Sequence, residues 1–222
     1  MIAYLVTAEH AYAMRNFLVG IGSRFARRIA LIPCEQILSG RRVLRADCYI
    51  FSDLDRLHAD FPCCCVANRD FKMQVSSPDT QGLIFVEYLD TADRTGIYRK
   101  YGAFVVGARI VPRHLYFSRD WMVKTADLGD PDLLAEELQY LESNPHAAQL
   151  LEICRHAGIG YGRIDYSLLD ERIQIWEINT NPMVITPPGP NVDVDPRLPV
   201  HRRFTELLDD AFAGVDRNWA AL

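Results

Sequence analysis

The sequence predicts an α/β fold in its N-terminal part, with a doubly wound parallel sheet, and an α+β arrangement with an antiparallel sheet in its C-terminal part. Short apolar segments alternate with a helical stretch and polar turns over the first third of the chain, which is typical of βαβ units. Further along, β-rich segments follow one another across short turns, as they do in antiparallel hairpins. The two parts therefore differ in the type of sheet they form.

The N-terminal third contains four apolar segments, each about as long as one strand. They are Ile2–Val6, Arg28–Pro33, Asp47–Phe51 and Cys63–Val66. The stretch around Ala11–Ile21 has the pattern of a helix and separates the first two strands. Neither a glycine fingerprint nor a P-loop follows any of these strands, so this sheet carries no phosphate-binding motif of those kinds.

The length of the chain limits the number of domains it can form, and its net charge limits the partners it can bind. At 222 residues the chain can form one large or two small domains. We place a small α/β domain at residues 1–70, a short connection at 71–82 and a C-terminal unit at 83–222. The formal net charge of −5 argues against nucleic acid, because binding it calls for a basic surface.

The composition points to the cytoplasm. Apolar runs fall short of the roughly 20 residues of a membrane span, and the N-terminus lacks the pattern of a signal peptide. We therefore expect a soluble cytoplasmic protein with no membrane partner. The six cysteines fit that compartment. Cys63–Cys65 lie in an apolar run, where free cysteines behave as small hydrophobic residues, and no CxxC spacing occurs.

The C-terminal part begins with two predicted strands and continues with helices. Ile97–Pro112 is rich in β-branched and aromatic residues and turns at Gly107. Asp132 is predicted to cap a helix over Leu133–Leu141. A second helix is predicted from Pro145 until Gly158 ends it, and Phe204–Ala213 forms a closing amphipathic helix.

The most informative segment is a predicted hairpin that carries oxygen ligands among hydrophobic neighbours. If Ile164–Leu169 and Ile173–Ile178 pair around a three-residue loop, Asp165 lies opposite Glu177 and Asn179 lies on the same face. A buried unpaired carboxylate is costly, so these oxygens indicate a cation. Three hard oxygens suit Mg²⁺ or Mn²⁺, whereas zinc would call for Cys or His.

The run GRIDYSLLDERIQIWEINTNP, residues 162–182, resembles the C-terminal metal-binding hairpin of the ATP-grasp superfamily, which includes D-alanine–D-alanine ligase and glutathione synthetase. The resemblance implies that Asp165, Glu177 and Asn179 bind Mg²⁺ ions that bridge the phosphates of ATP. It also implies that Arg163 contacts the phosphoryl group and that Asn181 begins a loop on the substrate side. The alternative is an ordinary hairpin with polar outer residues.

Two upstream segments extend the resemblance. Leu83–Leu89 looks like the family's hinge strand, whose backbone meets adenine and whose acid, here Glu87, lies near the ribose. In the family the next strand pair carries a base that contacts ATP phosphates, and Arg99 or Lys100 is the candidate for that base. Lys124 is a further possible phosphate contact. For each of these bases the alternative is a solvated surface charge.

The reaction that the resemblance implies joins a small carboxylate to an amine. The carboxylate attacks the γ-phosphate of ATP, and the amine then displaces phosphate from the acylphosphate. The region 1–70 is similar to the small domain that precedes the ATP-grasp core. Residues 70–82 are too few for the family's first ATP-binding lobe, since strands alone run about 5 residues each.

Two interpretations of this shortened chain therefore remain open. One is an ATP- and Mg²⁺-dependent ligase, in which a partner chain of a homodimer supplies the lysines that the family's first ATP-binding lobe normally carries. The other is a catalytically inactive ATP-grasp-like binding or scaffold protein.

Overall fold

A short parallel sheet forms in the N-terminal part. The computed structural model describes residues 2–6, 29–33, 48–51, 89–184 and 195–219. Strands β1 (Ile2–Val6), β2 (Ile29–Pro33) and β3 (Cys48–Phe51) pair in parallel in the order β2-β1-β3. The parallel pairing agrees with the prediction. The helix predicted around residues 11–21 and the strand predicted at 63–66 lie outside the described residues.

A four-stranded antiparallel sheet forms the centre of the C-terminal part, as predicted. Its order is β5-β4-β6-β7, and its strands are β4 (Tyr98–Val106), β5 (Arg109–Ser118), β6 (Tyr161–Leu169) and β7 (Arg172–Asn179). The turn between β4 and β5 contains Gly107 at φ +60°, a left-handed conformation that glycine adopts without strain.

Three helices are described. Helix α1 (Pro131–Ser143) is capped by Asp130, whose side chain accepts hydrogen bonds from the backbone N–H groups of Asp132 and Leu133. The predicted cap at Asp132 was therefore wrong, because Asp132 already lies in the first turn. Helix α2 (Ala147–Ala157) ends at Gly158 as predicted, with φ +68°, and α3 (Leu198–Trp219) is longer than predicted. Across the described ranges, none of the helices has both the length and the apolar character needed to cross a membrane.

The antiparallel sheet is covered on both faces, and its core lies on either side of β4. Phe104 and Val106 belong to the first face, where they join a cluster with Phe204 and Phe212 of α3. Ala103 and Val105 belong to the second face. There they join a cluster with Ile164, Tyr166 and two residues of α2, Leu150 and Cys154. Each large apolar side chain buried in this way contributes roughly 1.5–3 kcal/mol.

Candidate functional site

In the β6–β7 hairpin Asp165 pairs with Glu177 as predicted, but the turn and the strand pairing that produce this register differ from the prediction. Leu169 pairs with Arg172, so the turn consists of two residues, Asp170 and Glu171, both at positive φ. The predicted three-residue loop was therefore wrong, because Arg172 belongs to β7. A bulge between Asp165 and Tyr166 then shifts the ladder by one residue and restores the predicted pairing of Asp165 with Glu177.

Four polar residues form a row on the first face of the sheet. Arg163 pairs with Asn179, one step of the same face from the pair Asp165 and Glu177. The neighbouring strand β4 places Phe104 beside Arg163 and Gly102 beside Asp165. The row therefore begins where the apolar part of the first face ends.

Asp165 is buried and is held by two cations. Its side chain is only 6% exposed. Arg163 donates from Nε to Oδ1 over 2.7 Å and from a terminal nitrogen to Oδ2 over 3.2 Å, while Nζ of Lys100 lies 3.6 Å from Oδ2. A buried carboxylate requires partners of this kind, because taking an isolated charge out of water is strongly unfavourable.

A cavity of about 210 Å³ opens beside Asp165. Trp121 and Met122 lie in an exposed segment at this cavity, and their side chains are about half exposed. The indole Nε1 of Trp176 donates to Oγ of Ser167 over 2.8 Å, which orients the ring within the lining. The residues that line the cavity are Leu89, Thr91, Lys100, Trp121, Met122, Val123, Lys124, Asp165, Ser167, Trp176 and Glu177.

The structure separates the two predicted phosphate-binding bases of β4. Lys100 faces the cavity, whereas Arg99 lies on the other face of the strand and is paired with Asp93 and, at 2.7 Å, with Glu136 of α1. The hydrogen bond to Glu136 is the main cause of the raised pKa of Arg99. Arg99 therefore stabilises the fold between β4 and α1.

The remaining predicted site residues are Asn179, Asn181 and Glu87. The side-chain oxygen of Asn179 accepts the backbone N–H of Asn181 over 2.9 Å, and Oδ1 of Asn181 accepts the hydroxyl of Tyr4 over 3.3 Å. Asn181 therefore links the antiparallel sheet to β1. Glu87 lies outside the described residues, while Leu89, two positions later, lines the cavity.

The donors near the cavity are hard oxygens. Within the described ranges, no three Asp, Glu, His or Cys side chains converge as a metal cluster. Asp165 and Glu177 offer two carboxylates at one cavity, and the amide oxygen of Asn179 keeps a free lone pair beside its hydrogen bond. Mg²⁺ characteristically takes one or two carboxylates and fills its remaining positions with water and phosphate oxygens.

A second polar group lies on β5, beyond the end at Pro112 that the sequence predicts for this strand. A bulge between Gly102 and Ala103 leaves Arg113 as the extra residue of β5, next to His114. Both side chains are buried, and burial lowers the pKa of each. The available signal was a pair of bases inside a run that is otherwise apolar and β-rich.

Comparison with known proteins yields one distant likeness. No protein-family model matches this chain, and no curated protein matches it. Among solved structures, the crystal structure of D-alanine–D-alanine ligase from Bacillus anthracis in complex with ATP aligns over 99% of this chain and 98% of its own, with 9% identity and a TM-score of 0.40. A likeness at this level assigns neither a family nor a function to the chain.

Proposed function

We propose that this chain is an ATP-grasp-like protein that binds ATP and Mg²⁺ and joins a carboxylate to an amine through an acylphosphate. The observation that supports the proposal best is the pairing of Asp165 with Glu177 beside a cavity that Lys100 and Lys124 also line. Two hard carboxylates next to two ammonium groups suit a metal-bound polyphosphate.

The charged residues that line the cavity, together with Asn179, have roles in this proposal. Asp165, Glu177 and Asn179 would hold Mg²⁺, or Mn²⁺ in its place, and Lys100 and Lys124 would contact phosphate oxygens. When bound, the nucleotide would supply the phosphoryl group, and the metal would offset the negative charge of the phosphates. Because Arg99 is engaged by Asp93 and Glu136, we assign the phosphate contact of β4 to Lys100 alone.

Arg163 would orient the site in two ways. Its guanidinium holds Asp165 through two hydrogen bonds, which fixes the direction of the carboxylate oxygens. A planar guanidinium has five N–H donors, so it can hold a carboxylate and still present donors to a phosphoryl group. A fixed cation of this kind stabilises developing charge without having to reorganise.

The experiment that tests the proposal is a thermal shift with ATP, with and without Mg²⁺. We expect Mg²⁺ and ATP together to raise Tm by about 5 °C at saturating concentrations. Asp165→Asn and Glu177→Gln should abolish the magnesium-dependent part. Glu171→Gln, which removes an exposed carboxylate from the turn of the same hairpin, is the matched control and should keep it.

Two results would contradict different parts of the proposal. An unmutated protein whose Tm does not respond to ATP with Mg²⁺ is not a nucleotide-binding protein of this kind. If the Asp165→Asn and Glu177→Gln variants respond like the unmutated protein, the metal assignment is wrong although nucleotide binding stands.

A second candidate function is a catalytically inactive binding or scaffold protein. The short segment 70–82 favours it, since that segment is too short for a phosphate-covering lobe. Phosphate release, measured while small acids and amines are screened with ATP and Mg²⁺, separates the two. Nucleotide binding without any phosphate release, at protein concentrations where a homodimer would form, supports the inactive protein.

A further inference from the structure

Two buried polar atoms on β5 have no hydrogen-bond partner among the described residues. They are a terminal nitrogen of Arg113 and Nε2 of His114, and each residue is only 3% exposed. The rest of the Arg113 side chain has partners within the fold. Its Nε donates to the carbonyl of Val184 over 3.1 Å, and its guanidinium lies 4.6 Å from the centre of the Phe204 ring. Buried donors of this kind are ordinarily satisfied, so an unsatisfied pair points to a missing partner.

The neighbouring cations already have carboxylate partners. Arg197 donates from Nε to Glu137 over 3.0 Å, and Arg163 and Lys100 contact Asp165. Within residues 89–184 and 195–219, no carboxylate forms a salt bridge with Arg113. Asp195, whose side chain is 40% exposed, lies 3.6 Å from His201. The described part of the chain therefore leaves one buried positive charge without a salt-bridge partner.

The imidazole of His114 is held rigidly beside this charge. It stacks on Tyr116 with ring centres 4.0 Å apart, and the guanidinium of Arg197 lies 4.7 Å from the centre of the Tyr116 ring. On the other side, a Cβ on Gly102 would lie 2.5 Å from Nε2 of His114, so the ring fills the space that a side chain would take. Gly102 is the strand partner of Asp165, which places His114 next to the proposed metal site.

We propose that Arg113 and His114 form the subsite for one carboxylate group of the acid substrate. This inference rests on the proposed function, since it names the residues that receive the acid. A carboxylate matches the site because it is an anion that meets a cation without a salt-bridge partner and offers two acceptor oxygens to two unsatisfied nitrogens.

The test is a titration of the protein with sodium propionate, without nucleotide, against sodium chloride at equal ionic strength. We expect a saturable rise in Tm with the unmutated protein, and an affinity at least 10-fold weaker in Arg113→Met. Arg109→Met is the matched control, because it removes an exposed arginine from the same strand and should leave the titration unchanged. Arg113→Lys keeps the positive charge but loses the planar guanidinium that can donate two parallel hydrogen bonds. This variant should bind propionate about 3-fold more weakly.

The free protein provides a second measurement. If Arg113 serves a ligand, Arg113→Met removes an uncompensated buried charge and should leave Tm unchanged or higher. A large fall in Tm together with an unchanged propionate titration would show that Arg113 is structural, and it would overturn the inference. If Arg113→Met does not fold, the comparison of Arg113→Lys with Arg109→Met decides in the same way.

The remaining outcomes separate this inference from the proposed function. No saturable response to propionate overturns the subsite. A stronger response to inorganic phosphate that Arg113→Met abolishes overturns the assignment to a carboxylate. A response to propionate in a protein that ignores ATP with Mg²⁺ leaves the carboxylate subsite standing while the ligase proposal fails.

Discussion

Gly102 and His114 pair across β4 and β5, and the histidine ring lies where a side chain at position 102 would be. A Cβ on Gly102 would come within 2.5 Å of Nε2 and 2.9 Å of Nδ1 of His114. Since the ring is also stacked on Tyr116, it has no simple way to move aside. Glycine at this position is therefore required by packing, not by backbone conformation.

Gly102→Ala should lower the free energy of unfolding by about 1–3 kcal/mol, because the added methyl group would overlap the ring of His114. Urea denaturation measures the change. The double variant Gly102→Ala/His114→Ala is the control. In it the cost of the alanine at position 102 should largely disappear relative to His114→Ala alone. Additive costs in the double variant would contradict the steric explanation.

Stability should decrease below about pH 6.5. Burial, together with the nearby charges of Arg113 and Arg197, lowers the pKa of His201 to about 4, against the weaker opposing effect of Asp195. The unfolded chain therefore binds a proton at His201 that the folded chain does not bind between pH 6.5 and 4. The stabilisation is complete above pH 6.5 and is lost as the pH falls toward 4, with a slope of up to about 1.4 kcal/mol per pH unit.

Urea denaturation at several pH values between 4.5 and 7.5 measures this slope. His201→Gln should reduce it by up to about 1.4 kcal/mol per pH unit, and the slope that remains should come from His114 and His146, whose pKa values burial also lowers. His156→Gln is the matched control, because it removes an exposed histidine from the end of α2 and should keep the slope of the unmutated protein. An equal slope in both variants would mean that other groups cause the loss of stability in acid.

Substitutions in the turn of the β6–β7 hairpin should increase the stability of the protein. Asp170 and Glu171 have φ values of 50° and 62°, which suits the asparagine and glycine of a type I′ turn. We expect Asp170→Asn/Glu171→Gly to raise the free energy of unfolding by about 0.5–1 kcal/mol. The converse change in the other hairpin, Gly107→Ala, forces alanine to φ +60° and places its Cβ 3.3 Å from Val215, so it should destabilise the protein. Equal effects of the two changes would contradict the argument from backbone conformation.

Local features of the sequence were sufficient to place β1, β2, β3, β6 and β7 approximately and to pair Asp165 with Glu177, whereas β5 extends beyond its predicted end at Pro112 to Ser118. Alternation along a strand has a period of two, and a hairpin joins neighbouring segments, so few registers were possible. The turn length was wrong by one residue. The bulge compensated for that error, and nothing in the pattern of residues 161–182 distinguishes a longer loop from a bulge.

Residues whose surroundings come from distant segments could not be placed in this way. Arg99 and Lys100 are adjacent in sequence and lie on opposite faces of β4. Only the tertiary structure shows that Arg99 pairs with Glu136 of α1, whereas Lys100 lines the cavity. Arg113 depends on Phe204 and Val184, which lie far along the chain. Tertiary packing of this kind leaves no periodic signal near the residue itself.

The bulge of β7 makes the hairpin tolerant of changes in its length. Trp176 is the residue without a counterpart on β6, since Ile175 pairs with Tyr166 and Glu177 with Asp165. A related chain could delete this residue, or trade it for one more residue in the turn, and still set the same two carboxylates opposite each other. Loss of Trp176, alone or balanced by one added turn residue, therefore leaves Asp165 opposite Glu177.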